Sequence, residues 1–383
     1  MEKSRSVNSD LFDQSALSDL AQRLVEAARR AGADAADAVA VRGVSQGVEV
    51  RDGRVEESER SEGDDVGLRV LVGKRQAVVS TNDVGGDGIA KLAERAVAMA
   101  RVAPDDAYVG LADPALLARE FPDLDLLDPA MPSTAELERR ALEAEAAGIA
   151  VKGVTKSGGA SASSGIGGMV LVTSTGFHGA YLRSSQGISM TAISGEGTGM
   201  ERDYDFSSAL HGADLDSPES IGRSAGARAV ARANPRKAET CKAPVIFDPR
   251  VAGSIVGHLV GAANGASIAR KTSFLKDKLG QQLFANGIRI VDDPRRVRGL
   301  RSQSFDAEGV ATKQLAIIDD GVLTSWLLDS ATARELGMTT TGHAHRGVSS
   351  SPMPGAYNLH MEAGEMTPAE LMADIKQGFY VTD

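Results

Sequence analysis

The sequence predicts an α+β fold of two domains with mostly antiparallel sheets, and three observations carry that prediction. Hairpin signals recur along the chain, helical periodicities fall between them without a regular βαβ alternation, and 383 residues exceed the usual size of one core. The first element is a helix over residues 15–31, where Leu17, Leu20, Leu24 and Ala28 recur on one face and Gly32 is placed to end it. An antiparallel meander follows. "ADAVAVRG" leads to "GVEVRDGRVEESE", which turns at Asp52-Gly53, and then to "VGLRVLVGKRQAVVST", which turns at Gly73-Lys74. A second helix fits Gly88 to Val102, and a third starts at Ser133, where Glu136 three residues on completes a capping-box pattern.

Strand and turn text then returns, from "GIAVKGVTKSGGASASSG" through "GGMVLVTSTGFHGAYLRSSQGISMTAISGEG". A helix followed by a meander is thus written twice in the amino-terminal region, as two similar layouts without an obvious sequence period. The helix over residues 218–233 has Ser217 as N-cap and Pro218 in its first turn. Beyond it, "NPRKAETCKAP" is polar and carries two prolines, which makes it the linker. The expected domains are therefore 1–239, with helices and meanders, and 240–383, which is β-rich. The second opens with the strand "APVIFD" and a helix containing "IVGHLVGAANG", read as buried, and later turns a hairpin at Asp320-Gly321 in "KQLAIIDDGVLTSWLLD".

A net charge of -10 argues against a nucleic-acid surface, which needs clustered Lys and Arg. No apolar leader follows the basic start and no uncharged run is long enough for a membrane span, so the chain is expected in the cytoplasm. The single cysteine, Cys241, cannot form an internal disulfide and is read as incidental. "SGGASASSGIGG" and "GEGTGM" lack the spacing of a phosphate cradle and read as turns or small-residue strands. No convincing nucleophile-elbow motif is written. His343 and His345 lie two apart, so on a strand they would share a face and could share a metal or line a substrate cavity; the plainer reading is a solvated loop between Gly342 and Gly347. His178, His211 and His360 stand alone and read as surface or hydrogen-bonded residues.

Three segments in order, "VIFDPRVAGSIVGHLVGAANGASIARKTSFLKDKLGQQLF", "FDAEGVATKQLAIIDDGVLTSWLLDSATARELGMTTTGHA" and "SPMPGAYNLHMEAGEMTPAELMADIKQGFY", resemble the TldD/PmbA family of bacterial cytosolic peptidase subunits. The stretch "GVEVRDGRVEESERSEGDDVGLRVLVGKRQAVVSTND" is similar to the family's opening region, so the resemblance spans nearly the whole chain. In the family's zinc-bearing TldD subunit, the helix corresponding to residues 255–265 carries His-Glu-x-x-x-His. Those positions fall here on Gly257, His258 and Ala262. Glycine and alanine have no side-chain lone pair, and a catalytic zinc needs three protein ligands plus an open position. His258 stands about 100° around the helix from Gly257 and does not replace its direction.

The resemblance therefore implies the PmbA (TldE) branch, with no catalytic residue and no zinc in this chain. It implies a TldD-like partner that supplies zinc and base, in a heterodimer or larger complex enclosing a cavity for unstructured peptides. It also implies that the family's last zinc ligand comes from a segment beyond the end of this sequence. Two alternatives stand beside it: a homodimeric modulator or binding protein, as the family's gyrase-modulator label suggests, and a peptidase using His343, His345 and one further ligand.

Overall fold

The structure, a computed structural model, describes residues 13–83 and 88–383. Its frame is one six-stranded antiparallel sheet made of β1 (Ala35–Arg51), β2 (Arg54–Val72), β3 (Arg75–Thr81), β4 (Val154–Thr173), β5 (His178–Ser194) and β6 (Glu201–Ala209). The order is β3-β2-β1-β4-β5-β6. The two meanders meet where β1 pairs with β4, from Asp37↔Thr173 to Val50↔Ala160. Each meander has two helices, α1 (Ser15–Arg30) and α2 (Gly88–Val102) for the first, α3 (Thr134–Ile149) and α4 (Pro218–Ala231) for the second. The twice-written layout thus becomes two halves of a single sheet.

Period-two alternation assigns the two faces. Ala36, Ala38 and Ala40 of β1 join Val66, Leu68 and Val70 of β2 under α1 and α2. Val48 and Val50 join Ile188 and Met190 under α3 and α4, on the same side. The small residues let the helices sit close; a Cβ on Gly222 of α4 would stand 2.0 Å from the Ala144 carbonyl oxygen of α3. The other face, at Val39 and Leu171, packs against Phe177 and Phe305.

Local signals act where expected. Gly32, with φ of 100°, ends α1. The Asp52-Gly53 and Asp320-Gly321 pairs both take positive φ, as a tight hairpin turn with right-handed strand twist requires. Ser133 caps α3 by accepting from the Glu136 amide at 3.2 Å. The Glu136 side chain, however, binds Arg139 and Arg140 rather than closing the capping box.

The carboxy-terminal region has β7 (Val245–Phe247), α5 (Pro249–Ala262), α6 (Gly265–Ala269), β8 (Ile290–Asp292), β9 (Leu315–Asp319), β10 (Val322–Leu323), α7 (Ser330–Glu335), β11 (Ala344–His345), β12 (Met353–Pro354), β13 (Leu359–Met361), α8 (Pro368–Ala373) and β14 (Phe379–Val381). Its core gathers Ile290, Ile317, Ile318, Leu323, Leu327 and Leu328 around a sheet of order β10-β9-β8-β13. One pair, β7 with β14, is parallel.

Two buried contacts seat this region on the six-stranded sheet. Asp37 of β1, 1% exposed, accepts from Arg69 of β2 at 2.8 Å and from Arg346 at 2.5 Å, across 309 residues of sequence. Burial pushes the Asp37 carboxyl up, but Arg346 and Arg69 outweigh it and hold its pKa below the ordinary value. At the edge, Arg250 of α5 donates to Asp203 of β6 at 2.7 Å and lies over the Tyr204 ring at 4.7 Å. Removing one partner of a buried ion pair strands the others, which costs far more than the pair contributes when complete. Asp37→Ala is therefore expected to destabilise the protein by about 3–5 kcal/mol in urea denaturation, because two buried guanidiniums lose their counter-charge. A loss under about 1 kcal/mol would show that the three groups are solvated after all.

Candidate functional site

The helix-free face of the sheet is only partly covered. Register places Val41, Asp65, Met169 and Tyr181 in one row across four strands, and Gly43, Gly63, Gly167 and Arg183 in the next. Ser45, Ser61, Gly165 and Ser185 form a third. These rows floor an open trough of about 670 Å³, walled at one end by residues 346–348. Those wall residues lie flat on the sheet, since a Cβ on Gly67 would fall 1.9 Å from the Val348 carbonyl oxygen.

Arg183 closes the β5 side of the trough. It donates through Nη2 to the Ser302 carbonyl and stands 5.5 Å from the Tyr181 ring centroid, while its buried Nε has no partner among the described residues. Burial lowers its pKa, and the nearby Arg301 adds to that. Arg346 likewise keeps a buried, unpartnered Nε. Neither was singled out from the sequence. Arg69 left a readable trace, as a charge at an inward position within "VGLRVLVG"; Arg183 left none.

His343 and His345 lie behind this wall, and the solvated-loop reading is corrected here. His343 is fully buried and His345 lies on β11, because β11 pairs with β12 and folds the segment under Tyr357. Both rings face that tyrosine, with centroids 5.5 and 4.3 Å away. His343 Nδ1 binds the Thr341 carbonyl at 2.8 Å, and its Nε2 stands 3.4 Å from Asp292 without a hydrogen bond. Asp306 anchors the same segment by accepting from the amides of Glu308, Val310 and Ala344. Burial, with Glu308 adding, raises the Asp306 pKa well above the usual carboxylate range. Among the described residues, no three His, Cys, Asp or Glu side chains converge to hold a metal. Of the remaining histidines, His178 is exposed, His211 binds the Asp125 carbonyl at 2.9 Å and His360 contacts Arg296.

The helix carrying Gly257, His258 and Ala262 is α5, and it is not the buried helix expected. None of its residues is buried; Gly257 and His258 are exposed and Ala262 is partly covered. Val256, Leu259 and Val260 lean on the carboxy-terminal core, whereas a Cβ on Gly253, Gly257 or Gly261 would meet nothing within 4 Å. The close backbone approach expected of these small residues is not made within this chain. The donor set does not fit zinc, because only His258 of the three positions carries a lone pair. Cys241 is exposed in the linker segment.

Three comparisons bear on this arrangement. Residues 36–100 match domain 1 of the PmbA/TldA metallopeptidases, residues 127–233 their central domain and residues 240–383 their C-terminal domain. The chain is 37% identical over 337 residues to the metalloprotease PmbA of Escherichia coli O157:H7, covering 88% of this chain and 73% of that one. It is 36% identical to a PmbA homologue of Haemophilus influenzae, covering 84% and 71%. Its fold matches a Bacteroides thetaiotaomicron structure described as a candidate modulator of DNA gyrase, with a TM-score of 0.88, 24% identity, and 96% and 82% of the two chains covered. It also matches TldE of Thermococcus kodakarensis, with a TM-score of 0.83, 19% identity, and 95% and 82% covered.

His345 makes stability depend on pH. Burial, with Arg301 and His343 adding, lowers the His345 pKa to about 4. Between that value and the ordinary histidine pKa of about 6.5, the unfolded chain holds a proton that the folded one refuses, so stability falls as pH drops through the window. Unfolding at pH 4.5 against pH 7 should show His345 contributing roughly 2–3 kcal/mol of this loss, and His345→Leu should remove that share. An unchanged slope in the variant would place the titration elsewhere.

Proposed function

The chain belongs to the PmbA/TldD metallopeptidase family, in its PmbA/TldE branch, and on that premise we propose that it is the zinc-free subunit of a peptidase complex acting on unstructured peptides. The observation that carries this reading is α5. By the resemblance it corresponds to the family's zinc helix, with glycine and alanine where two ligands would stand, and its outer face is bare. Isolated apolar helices do not stay uncovered without reason, and contiguous exposed apolar surface marks interaction sites. Ile255 on α5 is 48% exposed, and Phe247, Leu371 and Tyr380 in neighbouring segments are exposed as well.

In this reading a TldD-like subunit packs on that surface and supplies zinc and general base, while this chain contributes wall and peptide contacts. The complex works in the cytoplasm. No helix among the described residues is long and apolar enough to cross a membrane. The fold match to a candidate gyrase modulator keeps a second reading in view, that of a homodimeric binding protein.

Purified alone, the chain should bind no stoichiometric zinc and cleave no unstructured peptide. Co-expressed with a His-Glu-x-x-x-His partner, it should co-purify and restore chelator-sensitive cleavage. Ile255→Asp should weaken that association about tenfold or more while leaving thermal stability nearly unchanged, since the side chain faces outward. Cleavage by the isolated chain defeats the proposal. A stable homodimer indifferent to the partner favours the modulator reading.

A further inference from the structure

The glycine-floored trough has a chemistry of its own. Gly43, Gly63 and Gly167 stand side by side on three adjacent strands, and none has positive φ. A Cβ would meet nothing on Gly63 and only ordinary contacts, at 3.8 Å, on Gly43 and Gly167. Neither backbone conformation nor internal packing calls for glycine here, yet glycine weakens a strand interior. What the three hydrogens do is keep the floor low. Two rows along the same face, the use of a low floor is seen, because the main chain at Val348 lies flat on Gly67. Glycine within a strand commonly marks such an approach by another backbone or a ligand.

Charge gives the trough a direction. On the β5 side stands Arg183, which lines the trough and keeps a buried unpartnered Nε. Arg346, whose side chain is 3% exposed and whose Nε is also unpartnered, stands in the wall. On the β2 side, the exposed Asp65 lines the same trough. Strands are spaced about 4.8 Å apart, so the separation from β2 to β5 is roughly 14 Å, the length of about four extended residues.

We infer that this trough binds a short extended peptide across the strands, with its terminal carboxylate against Arg183 and its amino end toward Asp65. The assignment rests on the peptidase-subunit reading only in expecting a peptide, and it places a contact that needs no zinc and no partner. Charge-assisted hydrogen bonds from guanidinium to carboxylate supply the preference for a free terminus.

The test uses the full isolated chain and the peptide Ala-Ser-Ala-Ser-Ala, as free acid and as C-terminal amide, in titration calorimetry. The free acid should bind about tenfold or more tightly than the amide. Arg183→Gln should abolish that difference. Gly43→Val should weaken both forms, since it raises the floor without touching the arginine. Circular dichroism and thermal melting keep a folding defect distinct from lost binding. Equal affinity for acid and amide, a preference that survives Arg183→Gln in a folded protein, or no heat at about 1 mM free acid would overturn the assignment. Because cleavage is not read, failure here leaves the complex with a zinc subunit to be judged by its own co-expression experiment.

Discussion

The arrangement of this molecule depends on one buried carboxylate. Asp37 sits on the helix-free face of the sheet, and with Arg69 beside it and Arg346 arriving from the far end of the chain, it fixes where the carboxy-terminal region lands. An apolar contact would permit sliding. A buried charge flanked by two guanidiniums does not, because any displacement leaves an ion without its counter-charge in a place water cannot reach. Once Arg346 is pinned, Val348 lies on Gly67 and the trough acquires its wall. The His343–His345 segment is folded inside Tyr357, with Asp306 holding the Ala344 amide.

That seating divides the sheet into surfaces with different tasks. One face is spent on four helices, whose alanines and glycines allow close approach. The other is half covered by the carboxy-terminal region and half open, floored by glycine and serine. Away from the sheet, α5 presents an uncovered side of glycines with Ile255 exposed among them. The trough is set between charged side chains at its edges, whereas the uncovered side of α5 carries glycines and Ile255. The first suits a transient ligand held by main-chain proximity and charge, and the second suits a lasting subunit contact driven by apolar burial.

The metal question also reduces to side-chain chemistry. The helix α5 is capped by Asp248, and of Gly257, His258 and Ala262 only His258 carries a side-chain lone pair. His343 and His345 offer donors, but they are folded against Tyr357, with Asp292 beside His343 and Asp306 held by the Ala344 amide. Burial there favours the neutral imidazole of His345.

Local chemistry was legible in the sequence. Gly32, Ser133, Ser217, Asp52-Gly53 and Asp320-Gly321 act within a few residues of themselves, so their turns and helix ends could be placed before any tertiary information, as could the α+β class. The two meanders could be read, but not their joining through β1 and β4, since strand pairing across more than 100 residues leaves no local mark. Burial was the less legible quantity. His343 was read as solvated and is buried, and α5 was read as buried and is exposed, because composition says how apolar a segment is but not what lies against it. Glu145 bears no local mark of its role, since its carboxylate accepts from the Asp52 and Gly53 amides, more than 90 residues away, and closes the first hairpin turn. The trough, its arginines and the Asp37 clamp exist only where distant strands and the chain's end come together. There only tertiary structure decides, since the partners that settle a charge or a cavity lie hundreds of residues apart.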